Sequence, residues 1–479
     1  MCKQERLNSK ILTRYKVPSN IENLNELLNE AVANNQHKII VLDDDPTGVQ
    51  TVHDISVYTN WDYDSIYQGF AEENKMFYIL TNSRAFTEDQ TIKVHQEIAQ
   101  NIIKVAKEQK KPYIIVNRSD STLRGHYPLE TKVLKDSIET QDDIKFDGEI
   151  LCPYFKEGGR FTINNIHYVK YNDELIPAGQ TEFAKDKTFG YKSSDLREYI
   201  EEKTKGEYKA DDVVTISLAE LRSQNFDRIT AKLLSVNNFA KIIVNAVDAC
   251  DLKVFTIALY RAINQGKNFT FRTAAGLVKE LGGISDKALL TKENLIIKDS
   301  DYGGIVVVGS HTAKTTKQLE ALQDIKELVF VEFNSDLVLD EKAFATEIAR
   351  VIDLEEKIIA SGKTAVVYTK RKLLTLEDDT KEKALMRSVK ISDAVQSLVG
   401  NLSIVPTFVV AKGGITSSDV GTKALKVKKA LVLGQIQPGI PVWQTDDSSK
   451  FKQIPYIIFP GNVGEVDTLR KVILTLIGK

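Results

Sequence analysis

Short apolar runs recur along the chain. Each is closed by a polar or glycine-containing turn and followed by apolar positions at helical spacing. The clearest runs are 38–42, 77–80, 113–116, 213–216 and 241–244, then 304–308, 329–333, 365–368, 407–410 and 454–459. Continuous runs of this length suit strands buried on both faces of a parallel sheet. Their alternation with helical patterns predicts an α/β protein. Between residues 282 and 300 the helical pattern breaks at Gly282-Gly283, and a polar stretch leads to the run at 304. The expected architecture is therefore two domains, 1–280 and 300–479, each with a mainly parallel sheet flanked by helices. Residues 148–190 have little periodicity and several Gly and Pro, so they read as a long excursion on the first domain.

Composition narrows the class. Of 479 residues, 42% are apolar and 27% charged, which excludes disordered, fibrous and small disulfide-stapled chains. The formal net charge of −2 gives no field for a polyanion, so nucleic acid is not an expected partner. Cys2, Cys152 and Cys250 are far apart and form no CxxC or CxxH pattern. That excludes a structural zinc site and points to a reducing compartment. The first residues are polar, and no apolar run is long enough to span a membrane. A cytoplasmic protein without a membrane partner is expected; homo-oligomerisation is left open.

Parallel sheets bind ligands beyond the carboxyl ends of their strands, so the turns after the runs carry the candidate chemistry. The first is Asp43-Asp44-Asp45-Pro46-Thr47-Gly48, three carboxylates that need a cation, hydroxyl donors or water. The second is Thr81-Asn82-Ser83-Arg84. The third is Asn117-Arg118-Ser119-Asp120-Ser121-Thr122-Leu123-Arg124-Gly125. An arginine fork suits a substrate carboxylate, and Ser, Thr and Asp suit sugar hydroxyls. Ser83 and Ser121 are also good helix-cap types. A Gly158-Gly159 pair before Arg160 has the makings of a covering loop. His53, His126, His167 and His311 lack metal-ligand spacing and read as structural, so no metal ligand is assigned.

The second half repeats one design. Gly309-Ser310-His311-Thr312 follows a strand and precedes a helix expected near 315–327. Gly413-Gly414-Ile415-Thr416-Ser417 follows another strand, and Pro460-Gly461-Asn462 a third. Glycines let backbone approach a ligand closely, and free helix N-termini attract anions. The pattern is not a Walker loop. Three such turns favour a nucleotide phosphate site.

With these motifs in order, the chain resembles the four-carbon acid sugar kinase family, which includes threonate and 3-oxo-tetronate kinases. The likeness spans almost the whole length and rests on five motifs. These are Asp44-Asp45-Pro46-Thr47-Gly48, Ser83-Arg84, the turn from Arg118 to Gly125, Gly309-Ser310-His311-Thr312, and Gly413-Gly414-Ile415-Thr416-Ser417. The resemblance implies an N-terminal sugar-acid domain and a C-terminal ATP domain; a magnesium ion is expected with ATP on charge grounds. It implies substrate contacts at Asp44, Arg84, Arg118, Ser119, Asp120 and Ser121. It implies ATP contacts at Ser310, Thr312, Gly413, Gly414, Ile415, Thr416 and Gly461. Arg118 stands where the family has lysine, and the first turn carries Pro46 and the extra Asp43. Both point to a branch with altered substrate preference.

Two rival readings exist. Asp43 and Asp45 fit the nucleophile turn of a haloacid-dehalogenase-type phosphatase, which leaves the second half unexplained. A non-catalytic sensor would not need the acidic cluster. For a kinase, the candidate general bases are Asp45, Asp44 and Asp120. Crowding should raise one of the Asp44/Asp45 pair, while flanking arginines keep Asp120 ionised. Asp45 is placed first because it adjoins the Pro-Thr-Gly turn.

Overall fold

The structure is a computed structural model that describes residues 4–297, 300–372, 374–376, 379–461 and 463–479. Cys2 and Asn462 lie outside the described residues; Cys152 and Cys250 are buried free thiols. The chain forms two compact units, Met1–Gly48 with Asn60–Asp286, and Val49–Thr59 with Lys287–Lys479.

The first unit is built on a parallel sheet. Its strand order is Val214–Ile216, Ala240–Val244, Gly148–Cys152, Phe269–Thr273, Tyr113–Arg118, Lys38–Asp43 and Met76–Leu80. Every residue of Lys38–Asp43 and of Tyr113–Arg118 is buried, as strands covered on both faces require. The helix Glu88–Gln109 starts at a capping box between Thr87 and Gln90, which satisfies free backbone donors. It buries Val94, Ile98 and Ile102 along one stripe. Each such side chain contributes about 1.5–3 kcal/mol on leaving water.

The expected excursion at 148–190 is a different object. Gly148–Cys152 is an inner strand of the main sheet. A Cβ at Gly148 would press on the Ala240 carbonyl, so glycine keeps that pairing close. The rest forms an antiparallel sheet in the order Leu7–Asn8, Glu174–Pro177, Ile166–Tyr171, Arg160–Ile163. These strands are only two to six residues long and include polar residues such as Arg160, Thr162, His167 and Lys170, so they gave no apolar run in the sequence.

The second unit has a mixed sheet, in the order Ile55–Tyr58, Lys429–Gln437, Ile440–Thr445, Pro455–Phe459, Val409–Lys412, Ile305–Val308, Thr364–Thr369 and Leu328–Phe333. The first three pairings are antiparallel and the last four parallel. Ile55–Tyr58 comes from the N-terminal half of the chain, and nothing in the periodicity announces that exchange. The helix expected near 315–327 runs over Ala313–Glu320, and residues beyond it turn into the strand at Leu328. Among the described residues, no helix is long and apolar enough to cross a membrane.

Candidate functional site

In the first unit the register brings three turns to one sheet edge. Asp43 is opposite Leu80 on one side and Arg118 on the other. The acidic turn, the turn to Arg84 and the turn from Arg118 to Gly125 therefore leave the sheet side by side. Gly48 folds back over Asp43, where a Cβ would collide with both carboxyl oxygens. Gly125 lies beside Asp44, where a Cβ would sit in ordinary contact 3.4 Å from Oδ2; it is its φ of +112° that favours glycine.

The charges interlock. Arg84 donates from Nη2 to Asp44 Oδ1 at 2.9 Å and from Nε to Asp44 Oδ2 at 3.3 Å. It also reaches Asp45 at 3.3 Å and Asp120 at 4.0 Å. Arg118 Nη1 lies 3.4 Å from Asp43 and 3.8 Å from Asp44. Asp120 accepts from Arg124 Nε at 2.8 Å and from the Thr122 hydroxyl. Ser119 is buried with its hydroxyl unpartnered among the described residues. The Ser121 carbonyl accepts from His167 Nε2 at 2.8 Å, which makes that histidine part of the framework.

Protonation follows from burial and neighbours. Burial pushes Asp43 up to about 8, only partly opposed by Arg118. Burial also raises Asp44 despite Arg84, so the raised member of the Asp44/Asp45 pair is Asp44, through desolvation more than crowding. For Asp45, burial is outweighed by Arg84 and the bonds from Thr47, and its pKa falls. Burial of Asp120 is overcome by Arg84 and Arg124, which keep it ionised, as its position between arginines predicts.

In the second unit, Val308, Lys412, Phe459 and Tyr368 share one register level. The turns beyond them converge. A Cβ at Gly309 would collide with Thr416 Oγ1; one at Gly413, where φ is +124°, would lie 3.5 Å from Ser310 Cβ. One at Gly461 would meet nothing nearer than Gly413 Cα and Gly414 N, at 4.0 Å. Thr312 caps the helix Ala313–Glu320 by accepting from Thr315 N, and its hydroxyl lies 3.4 Å from that of Ser310. Thr416 is buried, whereas the Ile415 side chain is exposed. Ser310, Thr312, Gly413, Gly414, Thr416 and Gly461 thus line one edge.

The sequence reading missed two cations here. Lys412 is fully buried, with Nζ donating to the carbonyls of Pro460 at 2.7 Å and Gly461 at 3.2 Å. Burial pushes it down to about 7, with Lys314 adding in the same direction. Arg371 donates to the Ser310 carbonyl. A lysine directly before two glycines at a strand end is the signal that would have found Lys412. Among the described residues, no cluster of His, Cys, Asp and Glu suits a resident metal ion.

An α/β chain with an arginine–carboxylate edge in one unit and a glycine-turn anion edge in the other has the make-up of a two-ligand, sugar- and nucleotide-binding protein. Two family descriptions match it accordingly: a sugar-binding N-terminal domain over residues 39–281 and a nucleotide-binding C-terminal domain over residues 305–469. The chain belongs to the four-carbon acid sugar kinase family. Among solved structures it is similar to Haemophilus influenzae protein HI1011, at 16% identity and TM-score 0.61, covering 91% of this chain and 100% of that one. It is also similar to a Salmonella typhimurium LT2 protein provisionally described as a tRNA synthase, at 13% identity and TM-score 0.65, covering 90% and 98%. At these identities the likeness concerns the fold. No curated protein matches the sequence.

Proposed function

We propose that the protein transfers the γ-phosphoryl group of ATP to a hydroxyl of a small, four-carbon sugar acid. The observation that carries this reading is the convergence of the Ser310, Gly413 and Gly461 turns in a chain whose other unit presents interlocked carboxylates and arginines. Phosphoryl transfer needs mainly positioning and charge stabilisation. Ser310, Thr312, Thr416 and the backbone of Gly413, Gly414, Ile415 and Gly461 hold the ATP phosphates. Magnesium arrives with ATP as part of the substrate.

Asp44, Ser119, Asp120 and Ser121 meet sugar hydroxyls, and Arg84 and Arg118 hold Asp43, Asp44 and Asp45 in place. The attacking hydroxyl oxygen bonds to phosphorus, the bond to ADP breaks, and the hydroxyl proton passes to a carboxylate. Access favours Asp45 as that base: its side chain is 20% exposed, against 3% for Asp44 and 11% for Asp120. Asp43 is a poor phosphatase nucleophile, because it is covered by Gly48 and holds its proton up to about pH 8.

The test is ADP release with threonates, erythronates and their 3-oxo derivatives. Turnover with one of them is expected. Asp45→Asn should lower kcat by roughly a hundredfold while both ligands still bind. Normal kcat in Asp45→Asn with loss in Asp120→Asn would move the base to Asp120. Hydrolysis of phosphate esters without any ADP release would replace the kinase reading by the phosphatase.

A further inference from the structure

Five arginines gather around the sugar-binding edge of the first unit, and four are committed. Arg84 is held by Asp44, Asp45 and Asp120. Arg118 is held by Asp43 and Asp44. Arg124 is held by Asp120 and Asp186. Arg272 donates to the Arg124 carbonyl at 2.6 Å. Arg160 differs. Its guanidinium makes no hydrogen bond or ion pair among the described residues; the Nε atoms of Arg118 and Arg272 are buried and unpartnered like its own, but those two forks are held through Nη1 and Nη2.

Arg160 is half-buried as a residue, but taking its Nε out of water without a partner is costly. The surroundings offset that cost only in part. Burial pulls the Arg160 pKa down, Asp120 is the first charge to oppose it, and the Arg124 cation adds to the strain. Both Arg124 and Arg160 lie over the Phe183 ring, at 5.0 and 5.6 Å from its centroid. The ring faces the Arg160 guanidinium but accepts none of its N–H hydrogen bonds. Arg160 also opens the strand Arg160–Ile163, after the Gly158-Gly159 turn, so its backbone is fixed by pairing with Phe155 and Val169.

From this we infer that Arg160 anchors the carboxylate of the sugar acid. A bidentate carboxylate supplies the partner that the half-buried fork lacks. The polar order of the site then sets the direction of the substrate. The acid end lies at Arg160 and Phe183. The hydroxyl end points along Arg124 and Asp120 toward the acidic turn. The assignment rests on the sugar-acid reading above. Arg84 and Arg118, expected from the sequence to contact the substrate, are less suited to its carboxylate, because their guanidinium groups are already engaged by the protein's own carboxyl groups.

The test is calorimetry on the full chain without nucleotide, using D- and L-threonate and D- and L-erythronate as probes. At least one should bind. Arg160→Gln should weaken it tenfold or more, with ATP affinity and the urea midpoint unchanged. Arg160→Lys should recover part of the loss, since it restores charge without the fork. Binding within threefold of the parent in folded Arg160→Gln overturns the assignment, as does failure of the parent to bind any of the four acids. Acid binding that depends on Arg160, without ADP release in the assay above, would sustain the anchor and overturn the kinase.

Discussion

A carboxyl taken out of water beside two others must find a cation or keep its proton, and the acidic turn does both. Asp45 and Asp120 stay ionised against arginines, while Asp43, sealed by Gly48, is raised to about 8. The raised value makes a stability prediction. The folded state holds a proton on Asp43 that the unfolded chain releases above its ordinary value of 3.8. This contribution is complete below that value and is lost as pH rises through about 8. Asp43→Asn should therefore flatten the decline in urea-unfolding free energy between pH about 5 and about 9. An unchanged slope would mean that Asp43 is charged in the native state. The depressed Asp45 and Asp120 act oppositely, losing their contribution as pH falls into the acid range. At this scale the sequence was half legible. Three acids at a strand end are visible in the chain, but which one keeps its proton depends on Gly48 and Arg118 closing from elsewhere. Arg160 was visible too, yet nothing local tells a committed arginine from an uncommitted one.

At the scale of elements, the fully buried parallel strands were legible because both faces are apolar. The runs at 38–42, 77–80 and 113–116 fall within strands of the first unit. Strands with one wet face were not, and Lys429–Gln437, which alternates buried and half-exposed positions, gave no continuous run. Gly148–Cys152 was hidden by its glycine start and by the irregular segment after it. The glycine turns were legible as motifs, but their convergence is a property of register. That convergence predicts the behaviour of Gly461. Its Cβ position has only backbone neighbours at 4.0 Å, so a larger side chain fits the folded protein and fills the space against the Gly413-Gly414 turn. Gly461→Val should weaken ATP binding by roughly tenfold or more, about 1.4 kcal/mol per decade, with little change in melting temperature. Unaltered ATP affinity would move the phosphates away from this turn.

For the whole molecule, the chain passes from one unit to the other at 48/49, 59/60 and 286/287. The second unit is completed by Ile55–Tyr58, which pairs antiparallel with Lys429–Gln437 from Lys429↔Tyr58 to Val432↔Ile55. A fragment 287–479 would leave that strand with an open edge, and unpaired edges template aggregation. It should elute as aggregate on size-exclusion chromatography, and the same fragment fused to residues 49–59 should elute mainly as monomer. Identical profiles would show that the borrowed strand contributes nothing. The borrowed strand also bears on heredity. A crossover between two diverged relatives at 286/287 would seat one parent's strand against the other parent's sheet. Val57 opposite Ala430 and Ser56 opposite Leu431 would have to come from different lineages and still fit. A crossover at that seam must satisfy a strand encoded more than two hundred residues upstream, so the two halves of the gene should exchange less freely than a boundary at 286/287 suggests.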